Sequence, residues 1–188
     1  FFNKALSDYV ATKESDIDDY IGCFCVSTGF GSEELSKKYE EDNDDYSSIM
    51  IKAICDRFAE AFAEYLHKEI RTKYWGYSSN EETSNEDLIK EKYDGIRPAP
   101  GYPACPDHLE KKTIWKLLSV KERIGVKLTE SLAMWPAASV SGYYFGNKKA
   151  KYFGIGKIDK DQMTDYSKRR GISFKEAVKW LNPIYNDV

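Results

Sequence analysis

The stretch Arg97-Pro98-Ala99-Pro100-Gly101-Tyr102-Pro103-Ala104-Cys105-Pro106 holds four of the chain's six prolines within nine residues. Each proline fixes its own φ, removes a backbone donor and drives the preceding residue towards extended geometry, so Arg97, Ala99, Tyr102 and Cys105 are constrained as well. No helix can cross such a segment; it is a stiff loop around which the other elements must arrange themselves. Missing N–H groups leave several carbonyls without a regular ladder partner, and a ligand carrying donors, such as an adenine amino group, can satisfy one. Gly101 permits close approach of such a ligand, and Arg97 at the loop's edge offers a planar fork suited to a carboxylate or phosphate. A proline-rich connector with a surface arginine is the alternative.

A chain of 188 residues with 41% apolar content and 12 glycines has a globular composition and predicts one folded domain, or two small ones. At this length a chain buries roughly 70% of the surface its unfolded form exposes, so no disulfide or metal is needed to hold it. Lys and Arg number 28 against 31 Asp and Glu, a net charge of −3, which lacks the basic excess of a nucleic-acid binder. The longest clean apolar run, near residues 21–26, falls far short of the ~18 residues of a membrane span. No charged-then-apolar leader opens the chain, and these features together predict a cytoplasmic protein without nucleic-acid or membrane partners. Cys23, Cys25, Cys55 and Cys105 follow neither a secreted framework nor a paired zinc spacing and read as reduced thiols; His67 and His108 are the only histidines and read as packing or surface residues. The opening Phe1-Phe2-Asn3, without an initiator methionine, suggests a piece of something longer.

Along the chain, Tyr20-Ile21-Gly22-Cys23-Phe24-Cys25-Val26 reads as a buried strand closed by a glycine turn, with Cys23 and Cys25 on one face. Ser32 is the expected cap of a solvated acidic helix. The strongest helix spans about residues 47–73, where Ile51, Ile54, Phe58, Phe62, Tyr65 and Ile70 form an apolar stripe expected to face the core. Asp56, Glu60 and Glu64 fall opposite, four apart. They are either a solvated row, with Glu64 paired to Lys68, or an acidic surface facing a cationic ligand.

Short helices are expected after Ser84, ending at Gly95, after Asp107, and from Ser119 to Gly125. Extended segments are expected at 126–129 and 139–145, the latter turning through Gly146-Asn147-Lys148-Lys149 into a hairpin with 151–158. Two helices close the chain, the second capped at Ser173 and burying Trp180 and Leu181. Without a regular βαβ alternation this is an α+β pattern with an antiparallel sheet.

The run Gly95-Ile96-Arg97 through Asp107-His108 follows Tyr74-Trp75-Gly76-Tyr77 and precedes Leu128-Thr129-Glu130-Ser131 and Ala133-Met134-Trp135-Pro136. With Ala138-Ser139-Val140-Ser141-Gly142 and Lys151-Tyr152-Phe153, these motifs resemble the activation domain of cobalamin-dependent methionine synthases over nearly the whole chain. The resemblance implies an α+β domain with a twisted antiparallel sheet flanked by helices, C-shaped and helmet-like, of which residues 1–188 form most of the C-terminal part. It implies binding of S-adenosylmethionine, whose methyl group, with one electron from flavodoxin or an equivalent reductase, rescues oxidised cobalamin. Cobalamin would be bound by a separate module of the parent, and zinc only by a remote one. Carried onto this sequence, the ligand contacts fall on Glu60, Arg97, Ala99, Gly101, Tyr102, Tyr152 and Phe153, the last commonly a tyrosine in the family. Asp56 and Tyr102 fall where the cobalamin module is contacted, and no catalytic residue or metal ligand is implied.

The expected function is therefore methyl donation inside a multi-module methyltransferase, the fragment alone being inactive. The competing class is a docking module for a flavodoxin-like reductase or the cobalamin module without ligand binding of its own. A stand-alone methyltransferase is disfavoured by the absence of a glycine-rich strand-to-helix loop.

Overall fold

The computed structural model describes residues 4–186, so the Phe1-Phe2-Asn3 opening lies outside the described residues. Two 3-10 turns, Leu6–Tyr9 and Lys13–Ser15, lead to strand β1 (Gly22–Ser27), helix α1 (Ser32–Glu41) and the long helix α2 (Asp45–Glu69). A π-type turn at Ile70–Tyr74 ends α2, followed by α3 (Asn85–Ile89), α4 (Glu110–Leu118) and α5 (Val120–Ile124). Strands β2 (Lys127–Leu128), β3 (Met134–Trp135) and β4 (Ser139–Tyr144) precede α6 (Lys160–Arg170) and α7 (Phe174–Leu181). The α+β class with antiparallel pairing is as expected, in two short ladders, β1 with β4 and β2 with β3.

β4 organises the site. Its register on β1 runs from Gly22 opposite Tyr144 to Ser27 opposite Ser139. Its other edge is occupied by the residues leading into the proline segment: Ile96 and Phe145 exchange backbone bonds, and Tyr143 N–H donates to the Pro98 carbonyl at 3.0 Å. Prolines are tolerated there because this rail has β4 on only one side. Gly142 makes the approach possible, since a Cβ on it would sit 2.8 Å from the Pro98 oxygen. Side chains then alternate. Tyr144, stacked on Phe24 at 4.7 Å, joins Val26 and Ala63 beneath α2, while Tyr143 and Phe145 join Ile96, Ile114 and Ala150 on the opposite face.

The same crowding overturns the expected hairpin. Both edges of β4 are taken, so residues 151–157 have no edge to pair with and run irregularly; beyond them only Ile158 bridges, in parallel, to Tyr185. α2 corrects a second expectation. Its buried residues are Ser48, Ala59, Ala63 and His67: Ser48 meets Ser36 of α1 at 2.8 Å, Ala63 lets the helix settle closely on Phe24, Val26 and Tyr144, and the His67 ring stacks on Tyr144. The stripe of Ile54, Phe58, Phe62 and Tyr65 is instead exposed, Phe58 to 61%. Strong apolar periodicity identified the helix and misassigned its inward face.

Capping follows local chemistry. Ser84 and Asp87 form the expected reciprocal box, with backbone-to-side-chain distances of 3.2 and 3.3 Å, although α3 stops at Ile89 and not at Gly95. Asp107 accepts from Leu109 N–H at 2.8 Å, Gly125 closes α5 with φ 75°, and Ser173 accepts from Glu176 N–H at 3.2 Å. Gly31, not Ser32, occupies the N-cap of α1, the Ser32 hydroxyl donating to the Gly29 carbonyl. In α7 the buried residues are Ala177 and Leu181, with Trp180 half-buried. All four cysteines are free thiols; burial pushes Cys25 and Cys105 up to about 12. Among the described residues no helix is long and apolar enough to cross a membrane.

Candidate functional site

A cavity of about 580 Å³ opens between α2, the proline segment, β4 and residues 151–157. Its walls include Glu60, Arg97, Ala99, Tyr102, Tyr152 and Phe153, so six of the seven ligand-contact candidates converge from three distant parts of the sequence. Its size suits a ligand of nucleoside dimensions. Phe24 and Val140 give it an apolar floor, and Glu91 adds a second carboxylate; none of these three was singled out from sequence.

Two candidates stand apart. Gly101 is not part of the lining; it adopts φ 100°, donates to the Cys105 carbonyl at 2.7 Å, and would drive any Cβ into the His108 ring. The fold of the loop itself requires glycine at this position, a reason the sequence reading did not give. Asp56 lies on α2 one turn before Glu60, exposed and outside the cavity. Tyr102 sits at the rim, 62% exposed.

The position of Arg97 decides what the cavity can bind. Its backbone N–H donates to the Tyr152 hydroxyl at 3.0 Å, which joins the two walls. Its Nη1 donates to Tyr93 Oη at 2.6 Å and pairs with Glu64 Oε2 at 2.8 Å, and His67 Nδ1 lies 3.4 Å away. Nε and Nη2 take no hydrogen-bond partner among the described residues, and the side chain as a whole keeps 16% of its surface exposed. One nitrogen of the fork is therefore anchored inward, while Arg97 as a residue also lines the cavity.

A family model for the activation domain of vitamin B12 dependent methionine synthase matches residues 2–171. The chain belongs to that family. A crystal structure of the MetH reactivation domain bound to AdoHcy is 54% identical, with a TM-score of 0.95 over 97% of this chain and 56% of that one. The present chain thus spans little more than half the length of that relative.

Beneath Arg97 the activation domain carries a buried ionic cluster that sequence reasoning missed. Arg71, fully buried, forms a bidentate pair with Glu81 (Nε–Oε2 2.6 Å, Nη2–Oε1 2.8 Å) and stacks on the Tyr93 ring at 3.7 Å. Arg71 Nη1 and Glu64 Oε1 face each other at 3.9 Å without a hydrogen bond. Glu64 therefore turns towards Arg97 and Arg71, which replaces its expected pairing with Lys68. The signal available in sequence was register, since Arg71 continues the buried seam of Ala59, Ala63 and His67 at intervals of four.

His67 is fully buried between Tyr144, stacked at 5.0 Å, and the edge of Tyr93 at 5.2 Å. Burial, reinforced by Arg71 and Arg97, pushes its pKa down to about 2, so the ring stays neutral. A guanidinium can only donate, so Nδ1 is the acceptor facing Arg97 and the proton resides on Nε2, 3.3 Å from Tyr77 Oη. Unfolding restores an ordinary imidazole near 6.5; below that pH the unfolded chain binds a proton that the native state refuses. The stabilisation is full above pH 6.5 and is lost as the pH falls towards about 2. We expect a loss of roughly 2 kcal/mol between pH 7.5 and 5 from this group. His108, lowered by burial and Lys111, acts in the same direction. Denaturation curves at the two pH values check it, together with imidazole nitrogen shifts that show no titration of His67 in the native state; unchanged stability would refute it.

Proposed function

We propose that this cavity binds S-adenosylmethionine, or its demethylated product, and that the domain presents the sulfonium methyl to cobalamin held by a separate module of the parent enzyme. The observation that carries the reading is the convergence on one cavity of Arg97, whose Nε and Nη2 have no partner among the described residues, with a carboxylate, Glu60, and aromatic side chains, Tyr152 and Phe153. S-adenosylmethionine carries a carboxylate, an ammonium, a sulfonium and an adenosine. Arg97 is suited to the first and Glu60 to the ammonium, while the Tyr152 ring can face adenosine or cationic charge, where attraction is ~0.5–2 kcal/mol. The AdoHcy held by the matched reactivation domain supports the ligand class.

Cobalamin, when bound on its own module, supplies the nucleophile. This chain contributes binding, orientation and exclusion of water, which require no general base. Asp56 and the exposed Tyr102 ring lie on the side of α2 and the loop rim where that module would dock, and flavodoxin or an equivalent reductase would deliver the electron. The isolated chain is inactive in this reading.

Calorimetric titration of residues 1–188 with AdoHcy tests it. Saturable binding is expected, and Tyr152→Ala should weaken it while lowering the ligand-free melting temperature only by the loss of one hydrogen bond, to the Arg97 N–H, because the residue is 43% exposed. Turnover of S-adenosylmethionine without any cobalamin would reject the assignment. Absence of binding, with the fold intact, would favour a docking module alone.

A further inference from the structure

We infer that Glu64 is a positioning residue for the ligand carboxylate: it fixes the rotation of the Arg97 guanidinium so that the Nε/Nη2 edge is turned to the cavity. This rests on the reading of the cavity given above. Arg97 has four side-chain torsions, and in isolation its fork would sample many orientations. Here one nitrogen, Nη1, takes every side-chain contact: Glu64 Oε2 at 2.8 Å, Tyr93 Oη at 2.6 Å and His67 Nδ1 at 3.4 Å. The Tyr93 hydroxyl also donates to Glu64 Oε2 at 3.2 Å, so carboxylate, phenol and guanidinium close a three-membered ring of contacts. With a planar group, anchoring Nη1 sets the direction of the opposite edge.

Glu64 is itself held from behind. Its second oxygen, Oε1, is buried without a hydrogen bond and faces Arg71 Nη1 at 3.9 Å, and Arg71 is immobilised by Glu81 and the Tyr93 ring. Two guanidinium cations and two carboxylates thus balance in the buried layer, and the neutral His67 adds an acceptor without adding charge. A ligand carboxylate meets a cation whose orientation is already set, while its charge is still available on the exposed edge. Glu64 does not touch the ligand in this arrangement and acts only through Arg97.

Two ligands separate positioning from general support of the fold. AdoHcy carries the amino-acid carboxylate; 5′-methylthioadenosine keeps the adenosine and thioether but lacks it. In residues 1–188, Glu64→Ala should weaken AdoHcy by about 10-fold while leaving 5′-methylthioadenosine within about 2-fold. Glu64→Gln, which keeps an acceptor for Nη1, should recover most of the loss. On an Arg97→Ala background, Glu64→Ala should have no further effect. Equal weakening of both ligands, or additivity with Arg97→Ala, would overturn the inference by assigning Glu64 a merely structural role. Tighter AdoHcy binding in Glu64→Ala would also overturn it, by making Glu64 a competitor for Arg97. If Arg97→Ala itself leaves AdoHcy binding unchanged, the underlying reading of the cavity fails, and that result is distinct from the others.

Discussion

Replacing Arg71 by alanine should destabilise the domain by roughly 3–5 kcal/mol, the largest loss expected from any single polar residue here. The side chain is fully buried, satisfies both oxygens of Glu81 and covers the Tyr93 ring. Its removal leaves Glu81, itself well covered, without its bidentate donor, supported only by the Thr83 hydroxyl at 2.8 Å and the charge of Lys68. Burial works against the Glu81 carboxylate, but the hydrogen bonds and charge of Arg71 outweigh it and hold its pKa below the usual range. Arg71→Lys should recover only part of the loss, because an ammonium cannot form the two parallel bonds. Urea denaturation at pH 7.5 measures both variants, and a loss under about 1 kcal/mol for Arg71→Ala would show that the cluster relaxes or admits water.

Arg97→Ala is expected to weaken AdoHcy binding by about 10- to 150-fold, the equivalent of one charge-assisted contact of roughly 1.5–3 kcal/mol. The fold should survive better than in Arg71→Ala, since the Arg97 side chain is not fully enclosed and its backbone bond to the Tyr152 hydroxyl does not depend on the guanidinium. The variant does leave Glu64 with Tyr93 Oη as its remaining hydrogen-bond donor, so a modest drop in melting temperature accompanies the loss of affinity. Titration calorimetry with AdoHcy decides the matter; unchanged affinity would remove Arg97 from the ligand site.

The sequence made the elements legible where local chemistry governs them. The proline segment, the Ser84–Asp87 box, the Gly125 stop and the extended run at 139–145 all depend on near neighbours, and all are found. It failed where a choice depends on what lies opposite. The α2 stripe of Ile54, Phe58, Phe62 and Tyr65 carries the helical period, yet Ala59 and Ala63 face inward, because close approach to Phe24 and Tyr144 requires small residues. The hairpin failed for a related reason: nothing local reveals that Ile96 and Pro98 have already claimed the free edge of β4. Of the candidate site, the motif residues Glu60, Arg97, Ala99, Tyr102, Tyr152 and Phe153 do converge. The layer beneath them stayed hidden, since Arg71, Glu81 and Tyr93 are spread over more than twenty residues and meet only after the π-type turn redirects the chain.

The irregular wall at residues 151–157, held to the proline segment through the Tyr152 hydroxyl, is tied down at its start by a second phenol. Tyr9 Oη donates to the Lys151 carbonyl at 3.0 Å and accepts from the Lys151 N–H at 3.2 Å, so a side chain 142 positions away completes both valences of one residue's backbone. Its ring also lies against Phe153, with centroids 6.4 Å apart. A segment with Gly154 and Gly156 in open space would otherwise be free to flap, and a ligand would bear the entropy of stilling it. Because the tether forms as the chain folds, that entropy is surrendered beforehand. The amino-terminal turn, which contributes nothing to the cavity lining, thereby helps to hold one wall of the cavity in place.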